Sequence, residues 1–140
     1  MLERTLRDFR RRGLHLDAAT AARVREINGR LSELGITYQK NLGEEAASFD
    51  FTAAELDGCP SSYLAERLQP DGATYRCTLK YPCYVPLMEN CRVAATRRTM
   101  EFAFNCRCKD ENGAILETLV ELRHEKAKLM GYATHAAFDL

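Results

Sequence analysis

The chain has 140 residues, 46% of them hydrophobic and 29% charged, which is enough for one domain with its own core. Twenty Lys and Arg against twenty Asp and Glu give a formal net charge of zero. That balance argues against nucleic acid and anionic membrane surfaces as partners, because both are gripped through a basic excess.

No run approaches the ~20 apolar residues that cross a bilayer. The charged stretch 1–12 does not read as a secretory signal. The short basic clusters Arg10-Arg11-Arg12 and Arg97-Arg98 have acids nearby and read as solvated helix ends. Six cysteines are present: Cys59, Cys77, Cys83, Cys91, Cys106 and Cys108. With no export signal, and a chain of this size needing no staples, they read as reduced thiols in a cytoplasmic setting.

In chain order, Leu2, Leu6 and Phe9 share one helical face, with the four-apart pairs Glu3–Arg7 and Asp8–Arg12 beside them and Gly13 as the stop. That helix has no cap ahead of it and reads as one entered part-way along. Asp17 then caps a long helix whose apolar seam is Val24, Ile27, Leu31, Leu34 and Tyr38, with Gly43 as its end. Gly29 and Gly35 inside it each cost roughly 1 kcal/mol against alanine.

Beyond Glu44 the texture changes. Residues 47–52 alternate and suit a short strand, and Thr52 is placed to cap a helical turn at 53–56. Gly58 and Pro60 break the chain, 61–68 read as a short helix, and Asp71-Gly72 is a turn. Residues 74–81 alternate as a second strand, which Pro82 ends. Residues 94–105 are helical, with Met100, Ala103 and Phe104 on one side. Asn112 and Gly113 open the clearest helix, with Ile115, Leu119, Leu122 and Leu129 on its core face and Leu116 and Val120 flanking. Gly131 ends it, and 134–140 start another.

No chemical motif is complete. His124-Glu125 invites a zinc-helix reading, but two ligands on one helical face need His-Glu-x-x-His, and the fifth position here is Lys128. The pair therefore reads as a surface feature. His15 lies between two helices and His135 near the end, and neither joins a cysteine in a recognisable nucleophile signature. Cys106-x-Cys108 is too close for a Cys-x-x-Cys metal knuckle. Tyr75, Tyr81 and Tyr84 read as packing around the small sheet rather than as a binding surface. The expected site residues are catalytic none, metal none and cofactor-binding none.

Several strings together resemble one family. Arg12-Gly13-Leu14-His15-Leu16 is similar to an Arg-Asn-Gly-Leu-His-Leu stretch, and Phe51-Thr52, Glu55-Leu56 and Gly58-x-Pro60 to the segment that follows it. The longest block is Thr78-Leu79-Lys80-Tyr81-Pro82-x-Tyr84-x-Pro86-Leu87. It is followed by Thr96-Arg97-Arg98, by Ala103-Phe104-Asn105-Cys106-Arg107-Cys108, and by Lys126-Ala127-Lys128-Leu129-Met130-Gly131-Tyr132. Their order and spacing resemble the N-terminal half of the thimet oligopeptidase and neurolysin family of zinc metallopeptidases. Arg12 stands where relatives commonly have Asn, and Cys59 where they commonly have Leu.

The resemblance implies a mainly α fold: a helical segment of a two-lobed, channel-type oligopeptidase with a small two-stranded antiparallel sheet. On that reading 1–140 is a single segment of the helical lobe, incomplete at both ends, and 46–86 is a small β-containing insert. It implies a zinc-dependent metalloendopeptidase acting on short peptides, with zinc in the full-length family and none bound by this chain. Alone, this chain is expected to be inactive. Two other readings remain: a non-catalytic helical module that binds itself or a partner through exposed apolar helix faces, and a metal or redox site around Cys106 and Cys108.

Overall fold

The computed structural model describes Thr5, Phe9, Gly13 and residues 15–140. The helix expected over 2–12 and the Arg10-Arg11-Arg12 cluster lie outside the described residues, apart from the two positions named. Gly13 has φ +79°, a conformation that favours glycine at a helix end. The chain is mainly helical and divides into two compact units, one of residues 1–41 with 110–140 and the other of residues 42–109.

In the first unit, helix α1 spans Ala18–Glu44. Asp17 caps it: Oδ1 accepts the Ala19 and Thr20 N–H groups at 3.0 Å each, and Oδ2 accepts the Thr20 hydroxyl at 2.6 Å. Val24, Ile27 and Leu34 of the expected seam are buried. Thr134 caps a short later helix, His135–Asp139, by accepting the Ala137 N–H at 3.1 Å.

A long helix occupies Lys109–Leu129 and begins three residues ahead of the expected Asn112-Gly113 start. Asp110 and Glu111 sit in its first turn, where the exposed N–H groups favour negative charge. Asn112 is not a cap at all. It is buried, accepts from Asn41 Nδ2 at 2.8 Å and donates to the Tyr38 carbonyl at 3.2 Å. Further along, Arg23 grips Glu125 at 2.7 and 3.0 Å. Position 41 meets 112 while position 23 meets 125, so the two long helices run antiparallel. Leu119 and Ala127 are buried on the later helix and Met130 just beyond its end, whereas Leu116 and Val120 face solvent.

In the second unit, strand β1 (Ser48–Thr52) pairs antiparallel with β2 (Thr74–Thr78), from Ser48 opposite Thr78 to Thr52 opposite Thr74. Alternation puts Phe49, Phe51, Tyr75 and Cys77 on the core face. On the other face Arg76 donates to Asp50 through Nε and a terminal nitrogen, both at 2.8 Å. Asp71 makes the turn before β2, accepting from Ala73 N, Thr74 N and the Thr74 hydroxyl.

Thr52 and Glu55 form a reciprocal capping box: Glu55 Oε2 accepts both Thr52 N–H and Thr52 hydroxyl at 2.8 Å. It opens a run of turns rather than a helix. The short helix α2 follows at Ser61–Ala65.

The strand expected over 74–81 stops at Thr78, and a helix not expected from the sequence, α3, spans Tyr81–Asn90. Pro82 lies in its first turn, where a missing N–H costs nothing. The proline therefore starts a helix rather than ending a strand. Cys83 and Leu87 are buried on this helix, one turn apart. Helix α4 spans Ala94–Asn105 as expected, with Thr96 and Met100 buried. In chain order the first unit's helices Lys109–Leu129 and His135–Asp139 are then α5 and α6.

The core of this unit is Phe51, Leu56, Tyr63, Cys77, Leu79, Cys83, Leu87, Cys91 and Met100. Its turn region is locked to the end of α3. Arg92 N–H donates to the Asp57 carbonyl at 2.7 Å, and Thr96 hydroxyl to the Glu55 carbonyl at 2.7 Å. Gly58 has φ +94°, and a Cβ there would lie 2.4 Å from the Asn90 carbonyl oxygen.

Replacing Gly58 by alanine therefore strains the backbone and collides with a main-chain oxygen. Gly58→Ala is expected to destabilise the chain by about 1–3 kcal/mol, read as a lowered urea midpoint.

Acid should also unfold the chain, and the sign follows from the carboxylates. Asp17 is held below its ordinary value by Thr20, Asp71 by Thr74, Asp50 by Arg76, Glu55 by the Thr52 N–H and Glu125 by Arg23. A depressed carboxyl stabilises above its unfolded value, and that contribution is lost as pH falls through the folded one. The urea midpoint should therefore fall as pH drops below about 4. A midpoint unchanged down to about pH 3 would contradict this assignment.

Candidate functional site

The densest polar cluster in the core is Tyr63, Arg67, Cys77 and Cys83. Strand β2 turns Cys77 inward, helix α2 presents Tyr63, and the first turn of α3 brings Cys83 beneath the strand end. Tyr63 hydroxyl donates to the Cys83 carbonyl at 3.0 Å and lies 3.5 Å from Cys77 Sγ and 3.4 Å from Cys83 Sγ. Cys83 Sγ accepts from Arg67 Nε at 3.3 Å and from the Thr78 N–H at 3.2 Å. Arg67 lies over the Tyr63 ring at 3.7 Å and donates to the Tyr63 carbonyl at 2.7 Å and the Pro82 carbonyl at 3.3 Å.

These contacts shift the titrations apart. The Cys77 S–H donates to Cys83, and with Tyr63, Arg67 and the Thr78 N–H it holds the Cys83 thiol well below its ordinary value against the opposing effect of burial. Donation to Cys83 and burial push Cys77 far up. Burial likewise raises Tyr63 far above an ordinary phenol. The two thiols titrate as a pair, one lowered and the other raised by their mutual contact.

A second thiol pair is Cys59 with Cys91. Burial pushes the Cys59 thiol up to about 11, and the neighbouring Cys91 adds to it. Cys91 Sγ donates to the Glu55 carbonyl at 3.4 Å. All six cysteines are unbridged.

The positions singled out from sequence are spread apart. His15 and His124 are exposed, and His135 is half-buried with its Nδ1 lacking a hydrogen-bond partner among the described residues. Glu125 is engaged by Arg23, not by a histidine. Cys106 and Cys108 are half-buried in the turn between α4 and α5, and Cys108 adopts φ +50°. No group of three or more His, Cys, Asp or Glu side chains able to hold a metal occurs among the described residues.

The tyrosines mostly pack, as expected. Tyr84 stacks on Phe104 at 3.9 Å, and Arg107 covers the same ring at 3.6 Å. Tyr75 packs on the core, while Tyr81 is exposed and meets Phe104 edge-on. A shallow groove of about 730 Å³ runs along the outer side of α4, lined by Phe49, Ala95, Thr99, Phe102 and Ala103 among others.

The Cys83 cluster was not found from sequence. Its signal was the four-residue step from Cys83 to Leu87 after Pro82, which marks a helix whose inward face starts at the cysteine.

Residues 87–140 match the model of peptidase family M3. The chain is 32% identical over 139 residues to a thimet-like oligopeptidase of Dictyostelium discoideum, covering 98% of this chain and 21% of that protein. It is 33% identical to a probable thimet oligopeptidase of Arabidopsis thaliana, covering 99% of this chain and 20% of the relative. Oligopeptidase A of Escherichia coli is 34% identical over 152 residues, with 96% of this chain and 22% of the relative covered. The chain thus spans about a fifth of the length of the curated relatives it matches.

Removing the Tyr63 hydroxyl leaves the ring in place and deletes the tie to α3. Tyr63→Phe is expected to destabilise by about 1–2 kcal/mol, with the m-value unchanged in urea titration.

Proposed function

We propose that the chain is a scaffold segment of the N-terminal half of a zinc-dependent oligopeptidase of peptidase family M3, one that hydrolyses short peptides. The observation that carries this reading is collinear identity of 32–34% along nearly the whole chain, against about a fifth of each relative. The order of the resembling strings, from Arg12-Gly13-Leu14-His15-Leu16 to Tyr132, supports a single uninterrupted segment.

The His124-Glu125 pair does not fit a zinc ion. The histidine–glutamate pair on α5 has Lys128 where the second imidazole would stand, and the Glu125 carboxylate is taken by a two-point ion pair with Arg23. We assign no zinc chemistry to any residue here. In the parent enzyme the metal and its catalytic glutamate would lie on residues outside this chain. The β-containing stretch 46–86 and the helices around it would contribute wall rather than chemistry.

A cytoplasmic setting agrees with six unbridged cysteines. No helix among the described residues is long and apolar enough to cross a membrane.

A second reading, self-association or capture of a partner protein, is favoured by Phe102, which is 71% exposed beside the groove on α4. Light scattering separates it from the first: concentration-dependent mass supports a sticky face, and a clean monomer argues against one.

The chain alone should not cleave a fluorogenic short peptide with zinc added. Robust turnover that a chelator abolishes would overturn the proposal.

A further inference from the structure

Two thiol pairs lie in the 42–109 unit, and the direction of their hydrogen bonds separates them. Cys91 Sγ gives its proton to a carbonyl oxygen, as a neutral thiol does. Cys83 Sγ instead receives two N–H groups, Arg67 Nε at 3.3 Å and Thr78 N at 3.2 Å. Neither donor can reverse its role, because a guanidinium and a peptide N–H hold no lone pair to offer. The cation beside the sulfur favours the thiolate, the reactive form. Cys77 supplies a second thiol: its Sγ lies 3.5 Å from the same Tyr63 hydroxyl that is 3.4 Å from Cys83 Sγ.

We propose that Cys83 and Cys77 form a two-electron oxidation site for hydroperoxides, with Cys83 the attacking sulfur and Cys77 the resolving one. The Cys83 sulfur gives an electron pair to the terminal peroxide oxygen. The O–O bond breaks, Cys83 becomes a sulfenic acid, and the departing alkoxide or hydroxide takes a proton from water. Cys77 then loses its proton and attacks the sulfenyl sulfur. An S–S bond forms and the hydroxyl leaves as water. In sum, two thiols are oxidised to a disulfide while one hydroperoxide is reduced to an alcohol, or to water, with a second water formed.

Exposure supports the order of attack: Cys83 retains 7% of its surface and Cys77 none. Arg67 lies over Cys83 with its side chain 13% exposed, which admits small oxidants and excludes bulky disulfides such as glutathione. Five residues separate the two cysteines along the chain, from the end of β2 to the start of α3, so the disulfide would tie the strand end to the first turn of that helix.

The test uses the reduced chain with hydrogen peroxide, followed by a denaturing quench, alkylation and trypsin. Cleavage after Arg76, Lys80 and Arg92 puts Cys77 in peptide 77–80 and both Cys83 and Cys91 in peptide 81–92, so fragmentation of the linked peptides assigns the bonded sulfur. The expected product is those two peptides linked through Cys77 and Cys83, appearing before any Cys59–Cys91 link. Loss of the Cys83 thiol should change less than about twofold from pH 6 to 8, where an ordinary thiol gains roughly a hundredfold in thiolate.

In a Cys77→Ala variant, Cys83 should be trapped as a sulfenic acid by a 1,3-dione. The unmutated chain decides the matter even if that variant fails to fold. The proposal is overturned if Cys83 stays fully alkylatable while Cys106 and Cys108 oxidise. It is equally overturned if Cys83 pairs with a cysteine other than Cys77, or if its loss rises with pH as for a free thiol.

Discussion

The hydrogen bond from the Tyr63 hydroxyl to the Cys83 carbonyl is the contact on which the second unit most depends. Each element it joins is weak alone. Helix α2 has five residues and no side-chain cap, too short to stand in water. The sheet has two strands of five residues each, marginal without a surface to pack on. Helix α3 carries Pro86 inside it. Tyr63 reaches from α2 across the inward face of β2 to the first turn of α3, and Arg67 repeats the reach one turn later, bonding the Pro82 carbonyl and Cys83 Sγ. Order in this unit is thus tertiary in origin, supplied by a polar strut set within an apolar core.

The first unit works differently. Its two long helices have enough length to persist, and what they need is a register. Apolar seams alone fix register loosely, because leucines slide past one another at low cost. Two polar contacts near opposite ends remove that freedom: Asn112 with Asn41 and the Tyr38 carbonyl, and Arg23 with Glu125. The asparagine is the stronger constraint of the two. It is buried, so a shifted register leaves polar groups without partners in an apolar setting, whereas the Arg23–Glu125 pair is nearly half exposed and finds water instead. This also explains why α5 was expected to start too late. Asn-Gly is a stop-and-start signal in sequence, and only the burial of Asn112 reveals it as an interior contact.

Legibility in the sequence followed the range of the determining interaction. The Asp17 cap, the Asp71 turn and the span of α4 are set by local residues and were readable, whereas Thr52 was read as capping a helical turn and instead opens a run of turns. Helix α3 was not, because the string Tyr81-Pro82-Cys83-Tyr84-Val85-Pro86 carries β-formers and two prolines. Its helicity is decided by Pro82 falling in the first turn and by Cys83 and Leu87 fitting the core together. The site was less legible than the fold. Reading cysteines by spacing drew attention to Cys106-x-Cys108, while Cys77 and Cys83 fit no motif. Their pairing depends on a strand end meeting a helix start, with Tyr63 arriving from α2 and Arg67 from the turn after it.

The same geometry bears on what selection for a scaffold permits. A scaffold must hold its shape, and the usual means of filling a core is apolar side chains. At Cys83 the unit instead places a sulfur against a guanidinium and a peptide N–H, and the cation is held by four further contacts to Tyr63, Glu66 and Pro82. Burying a cation costs far more than burying a methyl group unless a compensating anion or acceptor is present. Two carbonyls and a surface carboxylate supply part of that compensation, and a Cys83 thiolate supplies the rest at the one guanidinium edge that faces inward. Charge balance at Arg67 thus explains the low thiol of Cys83 without any appeal to catalysis. A reactive sulfur at Cys83 is thus a by-product of how this unit is propped up.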